Sequence, residues 1–530
     1  MLKLFSSDLA VARAPILMRV VLIAFLAGIY LFNVFELRQW MEAEIPTGPD
    51  QQCYHRQAQL FAESGIIGGL DTAVTFEGAS YLISKAKAFG LLATPEPGWI
   101  AAVAPECHRY KSATGKIISQ YPPGTGFLLS LFPDGRRVRL LYIVIETIIL
   151  GWFAYLLWFA RNIAASLLVC ALGCFAVIQL NYEGYMSFSL APSMLLCLLL
   201  AFCTVKMLTC ETRRKQALFA AICGGLIGVS VSMRTANILL AGGYAFAFAD
   251  IYLRKGQRKI WLAAISFAVA LFIALVPSLA ANAINAGSPF ATTYSETDAS
   301  RPVFTWDQIV AALDYHLLGE GIGYVFDAGL ATTILFEIGR SLLRLKTIPY
   351  LSFINTATWA IAGAYYLTHS VLNSYYLIPT ALFSMALIVF GLCESAPAKL
   401  SLKGDKTRFS PGTAGGIISA CCVVTIVGWT LILREGPKAD GPLPSLEKNA
   451  IIWADPSGGL FSYYLKQHTA TLDRAPIELQ NRMIATIKED RRPQYLIADS
   501  DLMRALIERT AGAVRVQNMF GYETYRLNPP

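Results

Sequence analysis

The stretch that decides the fold is APILMRVVLIAFLAGIYLFNVF, residues 14–35. A helix needs about 20 apolar residues to cross a bilayer core about 30 Å thick, and this stretch reaches that length with Arg13 and Arg19 at its start. It is too long for the apolar region of a secretory signal, and no small-residue cleavage site follows it. We therefore expect a membrane anchor that the mature protein retains.

The composition of the whole chain indicates that further spans follow. Of the 530 residues, 55% are hydrophobic and only 15% are charged, and the mean hydropathy is +0.49. A soluble protein of this length does not have such a composition. The sequence predicts an α-helical polytopic membrane protein with about eleven spans. After residues 14–35, the spans fall near 138–160, 163–181, 188–207, 216–233, 236–253, 260–284, 328–344, 348–367, 374–393 and 412–433.

Basic residues in the loops predict the orientation, because Lys and Arg are retained on the cytoplasmic side. With the N-terminus inside, the basic positions that become cytoplasmic are Arg161, Lys206 to Lys215, Arg254 to Lys259, Arg340 to Lys346 and Lys399 to Arg408. Without the span 328–344, the last two basic segments, Arg340 to Lys346 and Lys399 to Arg408, would no longer lie on the cytoplasmic side with the others. The formal net charge of +8 is therefore a topology signal, and it does not imply nucleic-acid binding.

Three polar regions lie on the outer face under this topology: a first loop at 38–137, a second loop at 285–327 and a C-terminal tail. We expect two domains, a membrane module over 1–434 that includes both loops and a small soluble α/β domain over 435–530. In the tail, short apolar runs predict strands at 450–454, 495–498 and 514–516, and helical patterns lie near 458–468, 476–488 and 500–510.

Cysteine usage and familiar motifs narrow the possible chemistry. Nine of the 11 cysteines fall in or beside predicted spans, where cysteine acts as a small apolar residue. Cys53 and Cys107 lie outside, and the sequence leaves open whether they pair in an oxidising compartment or stay free. Zinc-ligand spacing is not visible. The sequence also lacks a phosphate-binding P-loop and a Gly-x-Ser-x-Gly turn.

The first outer loop carries a carboxylate, Asp50, just before a run with apolar residues at helical spacing. Residues 51–64 predict an amphipathic helix lying on the membrane, with Asp50 at or just before its N-terminus. A carboxylate at that position can simply cap the helix. The local sequence does not separate this alternative from a role in chemistry.

Several cations follow in the same loop. A second amphipathic stretch at 79–92 carries Lys85 and Lys87. The next basic residues, which precede Tyr121, are His108, Arg109, Lys111 and Lys116. Together they have the charge to neutralise a phosphate. A solvated loop is the simpler explanation for any single one of them.

Taken together, these features resemble the membrane-embedded GT-C glycosyltransferases of the protein-mannosyltransferase and aminoarabinose-transferase type. That family transfers a sugar from a polyprenyl-phosphate donor on the outer or lumenal side. The resemblance covers the architecture of nearly the whole chain, and the order of the motifs carries it. The matching segments are Asp50-Gln51-Gln52-Cys53-Tyr54 with Ala58, Gln120-Tyr121-Pro122-Pro123-Gly124 before the second span, Met233-Arg234-Thr235-Ala236-Asn237 at an outer turn, and His369 to Pro379.

The resemblance implies roles for these residues. Asp50 is expected to be the general base, or to orient the acceptor, and Arg234 to bind the donor phosphate, although Arg234 can also simply extend from the end of its helix toward the headgroups. The other residues that the resemblance and the basic run assign to substrate binding are Tyr54, His108, Arg109, Lys111, Lys116, Tyr121, Asn237 and His369.

One feature departs from the family pattern. The family often has a paired acidic motif at the first position, whereas here Glu42 and Glu44 precede Asp50 by several residues. The sequence therefore leaves open whether the protein uses a divalent cation, Mg²⁺ or Mn²⁺.

The second outer loop adds groups that suit sugar recognition. Its candidate sugar or acceptor contacts are Tyr294, Asp298, Arg301, His316 and Glu320. They lie beside Phe304 and Trp306, and because Trp and Tyr favour the headgroup region, an interfacial loop is the alternative.

The predicted function is an inverting glycosyltransferase that moves a sugar from a polyprenyl-phosphate donor to a lipid or glycan of the cell envelope. The expected location is a bacterial inner membrane, with the active site and the C-terminus facing the periplasm. A lipid or glycan transporter or flippase is one alternative, although the repeated halves typical of transporters are not visible. An O-antigen ligase or polymerase is another, but its polar mass would be expected in a late loop.

Overall fold

The computed structural model describes residues 16–41, 49–88, 103–105, 107–160, 162–182, 187–255, 260–294, 302–318, 324–342, 348–369, 376–395, 446–447, 449–455, 468–470, 477–510, 512–519 and 522–527. The chain forms two compact units. The first comprises residues 1–42, 138–276 and 301–436, and the second comprises 43–137, 277–300 and 437–530.

The elements are numbered in chain order. The helices are α1 (Ile16–Met41), α2 (Pro49–Gly68), α3 (Glu77–Ala88), α4 (Pro123–Ser130), α5 (Arg137–Phe159), α6 (Ile163–Tyr182), α7 (Leu190–Thr209), α8 (Arg213–Met233), α9 (Leu240–Lys255), α10 (Trp261–Ala286), α11 (Trp306–Leu313), α12 (Tyr324–Leu342), α13 (Leu351–Leu367), α14 (Ile378–Ser395), α15 (Ile477–Glu489) and α16 (Asp501–Arg509). The strands are β1 (His108–Lys111), β2 (Lys116–Ser119), β3 (Ile451–Trp453), β4 (Thr469–Ala470), β5 (Gln494–Ile497), β6 (Val514–Met519) and β7 (Tyr522–Arg526).

The first unit is a bundle of apolar helices. In the described part of the chain, seven helical segments are long and apolar enough to cross a membrane, namely α1, α5, α6, α7, α8, the segment Thr235–Leu253 that contains most of α9, and α10. The predicted class of α-helical polytopic membrane protein is therefore confirmed. α7 is the most enclosed of them and packs against α8 and α14. A Cβ atom at Gly224 of α8 would collide with the carbonyl group of Phe267, so the backbones of α8 and α10 are in close contact.

Three of the later predicted spans are also helical. The regions 328–344, 348–367 and 374–393 correspond to α12, α13 and α14. The predicted span at 412–433 lies outside the described residues, so the total of eleven stays a prediction.

The second unit combines short helices with two sheets. Strands β1 and β2 form an antiparallel hairpin in the first outer loop. The C-terminal region forms a five-stranded sheet of order β4-β3-β5-β7-β6, in which β3 is parallel to β4 and β5, and β7 is antiparallel to β5 and β6. The strands predicted in the tail and the helices near 476–488 and 500–510 are confirmed. Most of the predicted helix near 458–468 lies outside the described residues, and the boundary at 434/435 stays a prediction.

The core of the second unit is shared by distant parts of the chain. Leu82 of α3 and Tyr110 of the hairpin belong to the same buried apolar cluster as Trp453, Leu496 and Met503 of the C-terminal region. Apolar burial is the main favourable term in folding, so the first outer loop and the tail stabilise each other.

Candidate active site

Asp50 lies in the first turn of α2 and is half-buried. The helix begins at Pro49, where proline is well suited because its fixed φ angle is helical and its missing N–H is not needed. The partial positive charge of a helix N-terminus favours a carboxylate at this position. The predicted placement of Asp50 at the start of a helix is thus confirmed.

The apolar face of α2 is covered by protein. Tyr54, Ala58 and Phe61 are buried, and the ring of Phe61 lies 5.6 Å from that of Phe127 on α4. The expectation that α2 lies on the membrane through this face is wrong, because α4 occupies it.

The Tyr-Pro-Pro-Gly segment meets the start of α2. The hydroxyl of Tyr121 donates a hydrogen bond to the Asp50 carboxylate. One Nε2–H of Gln57 donates to the backbone carbonyl of Tyr121 at 2.7 Å. Asp50 and Gln57 are seven residues apart and so share one face of α2. The helix therefore holds Tyr121 by both its side chain and its backbone.

The two prolines and a glycine set the direction of the chain after Tyr121. Pro122 is the extended N-cap of α4, and Pro123 is within its first turn. A Cβ atom at Gly126 would collide with the side chain of Gln57. Only glycine lets α4 approach α2 this closely, and that approach brings Tyr121 to Asp50.

Two aromatic rings lie beside the ring of Tyr121. The ring of Tyr121 lies 4.9 Å from that of Tyr54 and 6.2 Å from that of Tyr294. Burial, and next the charge of Asp50, raise the pKa of Tyr121 well above its usual value. Tyr121 therefore stays protonated at neutral pH and acts as a hydrogen-bond donor to the carboxylate.

A disulfide fastens the neighbouring turn of α2. Cys53 and Cys107 are bonded, with their Cα atoms 6.1 Å apart. The question that the sequence left open is thereby answered in favour of pairing. The bond joins the helix that carries Asp50 and Tyr54 to the residue before β1.

His108 packs against this disulfide. Its Nδ1 lies 3.6 Å from the Cys53 sulfur and 3.8 Å from the Cys107 sulfur. Among the described residues, these three form the one group with metal-ligand geometry, but the sulfurs are bonded to each other. The group therefore does not fit Mg²⁺ or Mn²⁺, which prefer oxygen ligands. Glu42 and Glu44 lie outside the described residues.

The predicted cations of the first loop belong to the hairpin. His108 and Lys111 are buried, and Arg109 donates to the backbone carbonyl of His108 at 3.0 Å. Lys116 forms an ion pair with Asp71 at 3.2 Å. Burial of His108 and Lys111 does not agree with the alternative of a solvated loop.

His55, which the sequence gave no reason to single out, follows Tyr54 on α2. Burial, and next the positive charge of Arg137, lower the pKa of His55 to about 4. The imidazole is therefore neutral near pH 7. Its position five residues after Asp50, within the same two turns of helix, was the only sequence feature that could have drawn attention to it.

A second group of predicted residues lies in the first unit. Arg234 ends α8 and is nearly buried, and its guanidinium lies over the ring of Tyr376 at 5.3 Å. Asn237 donates to Ser193 Oγ at 3.2 Å and to the Ser230 carbonyl at 3.0 Å. Asn237 thus stabilises the turn that presents Arg234.

His369 joins an aromatic group with Tyr376. Its ring is stacked on Tyr365 with a centroid distance of 5.1 Å and lies 6.3 Å from Tyr376, which in turn stacks on Tyr366 at 5.8 Å. Burial lowers the pKa of His369, which favours the neutral form. The three tyrosines were not predicted, although Tyr376 lies inside the segment His369 to Pro379.

The second outer loop is divided between the units. Tyr294 lies beside Tyr121 in the second unit, and His316 is buried in a π-helical turn, Asp314–Leu318, of the first. Asp298, Arg301 and Glu320 fall outside the described residues. The described residues thus form two groups, one around Asp50 and Tyr121 and one around Arg234 and Tyr376.

No protein-family model and no curated protein sequence matches the chain. Among solved structures, the fold is similar to that in the crystal structure of ArnT from Cupriavidus metallidurans bound to undecaprenyl phosphate. The match covers 96% of this chain and 99% of that chain, with 12% sequence identity and a TM-score of 0.42.

Proposed function

We propose that the protein is an inverting glycosyltransferase that uses a polyprenyl-phosphate-linked sugar, with Asp50 as general base. The observation that carries the proposal is the hydrogen bond from the Tyr121 hydroxyl to the Asp50 carboxylate. Two motifs 71 residues apart meet there, in a unit that contains most of the first outer loop, the start of the second and most of the C-terminal tail. A protonated tyrosine fixes the orientation of the carboxylate and leaves its other lone pairs for an acceptor hydroxyl.

The reaction needs few groups. The acceptor oxygen forms a bond to the anomeric carbon, the bond from that carbon to the phosphate oxygen breaks, and the acceptor proton passes to Asp50. The polyprenyl phosphate leaves as an anion. A positioned base contributes about 10²–10⁴-fold to such a step. Because one displacement occurs on the face opposite the leaving group, the anomeric configuration inverts.

Arg234 is the proposed ligand of the donor phosphate. Guanidinium groups bind phosphate oxygens in a bidentate manner, and the Tyr376 ring below Arg234 supports its plane. The residues of the hairpin and the second loop keep the substrate-binding roles given above as proposals. A divalent cation is proposed only as an accessory to the leaving phosphate, and no step above depends on it.

The proposed location is the outer face of a bacterial inner membrane, with a lipid or glycan of the cell envelope as acceptor. The Cys53–Cys107 disulfide supports an oxidising compartment for the second unit. The Lys and Arg residues of the loops that are predicted to be cytoplasmic support the same orientation.

The test is a transfer assay with purified protein, radiolabelled polyprenyl-phosphate sugars and envelope lipid or glycan acceptors. We expect Asp50→Asn to lose about 10²–10⁴-fold in rate. Glu63→Gln is the matched control, because Glu63 is an exposed carboxylate on the same helix. Wild-type transfer by Asp50→Asn would exclude the base, and absence of transfer from every donor would favour a transporter.

Arg234 is tested in the same assay. Arg234→Gln is expected to raise the KM for the donor and to slow transfer, and Arg234→Lys to recover part of the loss, since lysine keeps the charge but not the bidentate geometry. Arg214→Gln, an exposed position at the other end of α8, is the control. An unchanged KM for the donor in Arg234→Gln would remove Arg234 from the site.

A further inference from the structure

A carboxylate lies deep inside the helical bundle of the first unit. Glu146 is 0% exposed and is near the middle of α5, a helix of 23 residues. At 1.5 Å per residue it is about 13 Å from the start of the helix, close to the centre of a bilayer core about 30 Å thick. Ionisable residues at such depth are rare and usually serve a function.

The Glu146 carboxylate has no hydrogen-bond donor within the described part of the chain. Both oxygens of Glu146 are buried without a partner among the described residues. The hydroxyl groups of Thr147, the next residue, and Tyr30 of α1 are bonded to each other at 3.0 Å. The Oε1 atom of Gln179 on α6 is likewise a buried acceptor without a donor.

The packing of α1, α5 and α6 places these groups at one depth. A Cβ atom at Gly173 of α6 would contact both Phe153 of α5 and Leu26 of α1, so these three positions are level. Two helical turns from these positions lie Glu146 on α5, Asn33 on α1 and Leu180 on α6. Asn33 donates to the Val177 carbonyl at 2.5 Å, which confirms that α1 and α6 are in contact at that depth.

We call Tyr30, Asn33, Glu146, Thr147 and Gln179 the polar layer. Among the described side chains of α1, the titratable groups are Tyr30, which lies in this layer, and Arg19, whose guanidinium donates to the backbone carbonyls of Trp158 and Ala160. Helix α6 contains no charged residue. On α5, Arg139 lies two turns before Glu146 and Tyr142 one turn before it. The Glu394 carboxylate of α14 is bonded to Lys206 at 3.2 Å. The polar layer therefore includes no cation to balance an ionised Glu146.

An ionised carboxylate in this position is strongly unfavourable, because an unpaired charge loses its hydration and gains nothing in return. A proton removes the charge and also supplies a donor to a layer that holds unpaired acceptors. We propose that Glu146 is a proton-binding site: the folded protein holds this carboxyl group in its neutral, protonated form at neutral pH, within the polar layer of α1, α5 and α6.

The test is infrared spectroscopy of the purified full-length protein in lipid nanodiscs at neutral pH. The wild type is expected to show the C=O stretch of a protonated carboxylic acid, and the wild-type minus Glu146→Gln difference spectrum should contain it. The band should move in deuterium oxide. A difference spectrum without this band would overturn the proposal.

A second measurement separates a proton from a metal cation as the ligand. If Glu146 were ionised and bound Na⁺ or K⁺, exchange of the cation would change a carboxylate band and the melting temperature, and both effects would be lost in Glu146→Gln. We expect neither property to depend on the cation. Because an amide has the shape of a neutral acid, Glu146→Gln should melt close to the wild type.

The proposal stays testable if the glutamine variant does not fold. Wild-type protein labelled with ¹³C in its glutamate carboxyl groups should show the same acid band at lower frequency. Glu146→Asp should retain an acid band, since it keeps a carboxyl group in the layer. An acid band that does not respond to the glutamate label would contradict the proposal.

Discussion

The hydroxyl of Tyr121 donates a hydrogen bond to the carboxylate of Asp50, and Gln57 holds the backbone of Tyr121 from the same helix. In the mechanism proposed above, Tyr121 acts on the reaction through Asp50. A hydrogen bond to a charged group contributes about 1.5–3 kcal/mol, so Tyr121→Phe is expected to lower kcat by about 10- to 100-fold. The KM for the donor should change little.

The matched control for Tyr121→Phe is Tyr155→Phe, which removes a hydroxyl from an exposed position of α5. Steady-state kinetics with a polyprenyl-phosphate sugar give kcat and KM separately. A wild-type kcat for Tyr121→Phe would show that the hydrogen bond does not position the base.

The Cys53–Cys107 disulfide is expected to stabilise the fold by linking α2 to the residue before β1. It closes a loop of 54 residues, for which chain-entropy estimates give about 4 kcal/mol of stabilisation. The double variant Cys53→Ser/Cys107→Ser should therefore unfold at clearly lower temperature and transfer sugar more slowly, because the restraint is lost beside Tyr54. Thermal unfolding and the transfer assay measure both effects.

Two controls accompany that variant. Cys210→Ser replaces a free, half-buried cysteine and should melt like the wild type. Peptide mass spectrometry of unreduced protein should find the fragments containing Cys53 and Cys107 linked, and their recovery as separate fragments would contradict the pairing.

The ion pair between Glu77 and Arg492 joins α3 to the C-terminal region. Arg492 donates to both carboxylate oxygens, at 2.6 and 2.5 Å, and lies 4.0 Å above the ring of Tyr81. Because Glu77 is largely exposed, a double-mutant cycle of Glu77→Gln and Arg492→Gln should give a coupling of about 1 kcal/mol or less. Urea unfolding of detergent-purified protein provides the free energies.

The pH dependence of this pair has a definite sign. The hydrogen bond from Arg492 lowers the pKa of Glu77, so the pair stabilises the fold above the usual glutamate value of 4.5 and is lost as the pH falls below it. The coupling should therefore vanish in acid and weaken in high salt. A coupling that is constant from neutral to acid pH would mean that the ion pair does not contribute.

His468 is expected to make the fold sensitive to acid. Burial lowers its pKa to about 3, and its Nε2 lies 2.9 Å from the Val103 carbonyl. The unfolded chain takes up this proton near 6.5, so stability should fall by about 1.4 kcal/mol per pH unit between those two values. His468→Gln keeps a donor for Val103 and should remove that part of the slope.

Melting temperatures of wild type and His468→Gln, measured from about pH 7 to about pH 5, test this contribution. His55→Gln is a parallel case of the same sign, because the pKa of His55 is lowered to about 4. Identical slopes for wild type and His468→Gln would exclude His468 as a source of acid sensitivity.

Helix α11 is expected to lie in the headgroup region. Trp306, Val310 and Leu313 form an exposed apolar stripe, and the Gln308 side chain ties the helix to the His369 carbonyl at 2.7 Å. Brominated lipids should quench the fluorescence of the wild type more than that of Trp306→Phe, because Trp favours the interface. Trp453→Phe, which removes a fully buried indole, should leave lipid quenching unchanged.

The helices of the first unit were predictable because each depends on a local apolar window. The regions 138–160 and 163–181 correspond to α5 and α6 within one residue at each end. A span of the bilayer requires about 20 apolar residues in a row, and this signal does not depend on the rest of the fold. The carboxylate of Glu146 was equally visible inside the region 138–160, but its burial required the packing of α1 and α6.

The hairpin β1–β2 was not predictable from its own residues. The strands read HRYK and KIIS, which lack a clear alternation of apolar and polar positions. Tyr110 and Ile117 are buried because Trp453 and other C-terminal residues cover them. Tertiary contacts thus decide the secondary structure of this segment.

The candidate site was predictable as a set of residues but not as an arrangement. Asp50 and Tyr121 could both be named, but no local pattern indicates a hydrogen bond across 71 positions. Tyr376 was missed because one of two adjacent tyrosines in a mostly apolar segment has no special signature. Its role follows only from the position of the Arg234 guanidinium over its ring.

The shared core of the second unit has a consequence for biosynthesis. Leu82 and Tyr110 emerge from the ribosome early, whereas their partner Trp453 follows about 350 residues later. At about 5–20 residues per second, the first loop waits roughly 20–70 s for the residues that complete its core. During that interval its apolar side chains lack the partners that cover them in the folded protein. The nascent protein is therefore a natural client for chaperones of the compartment that receives this loop.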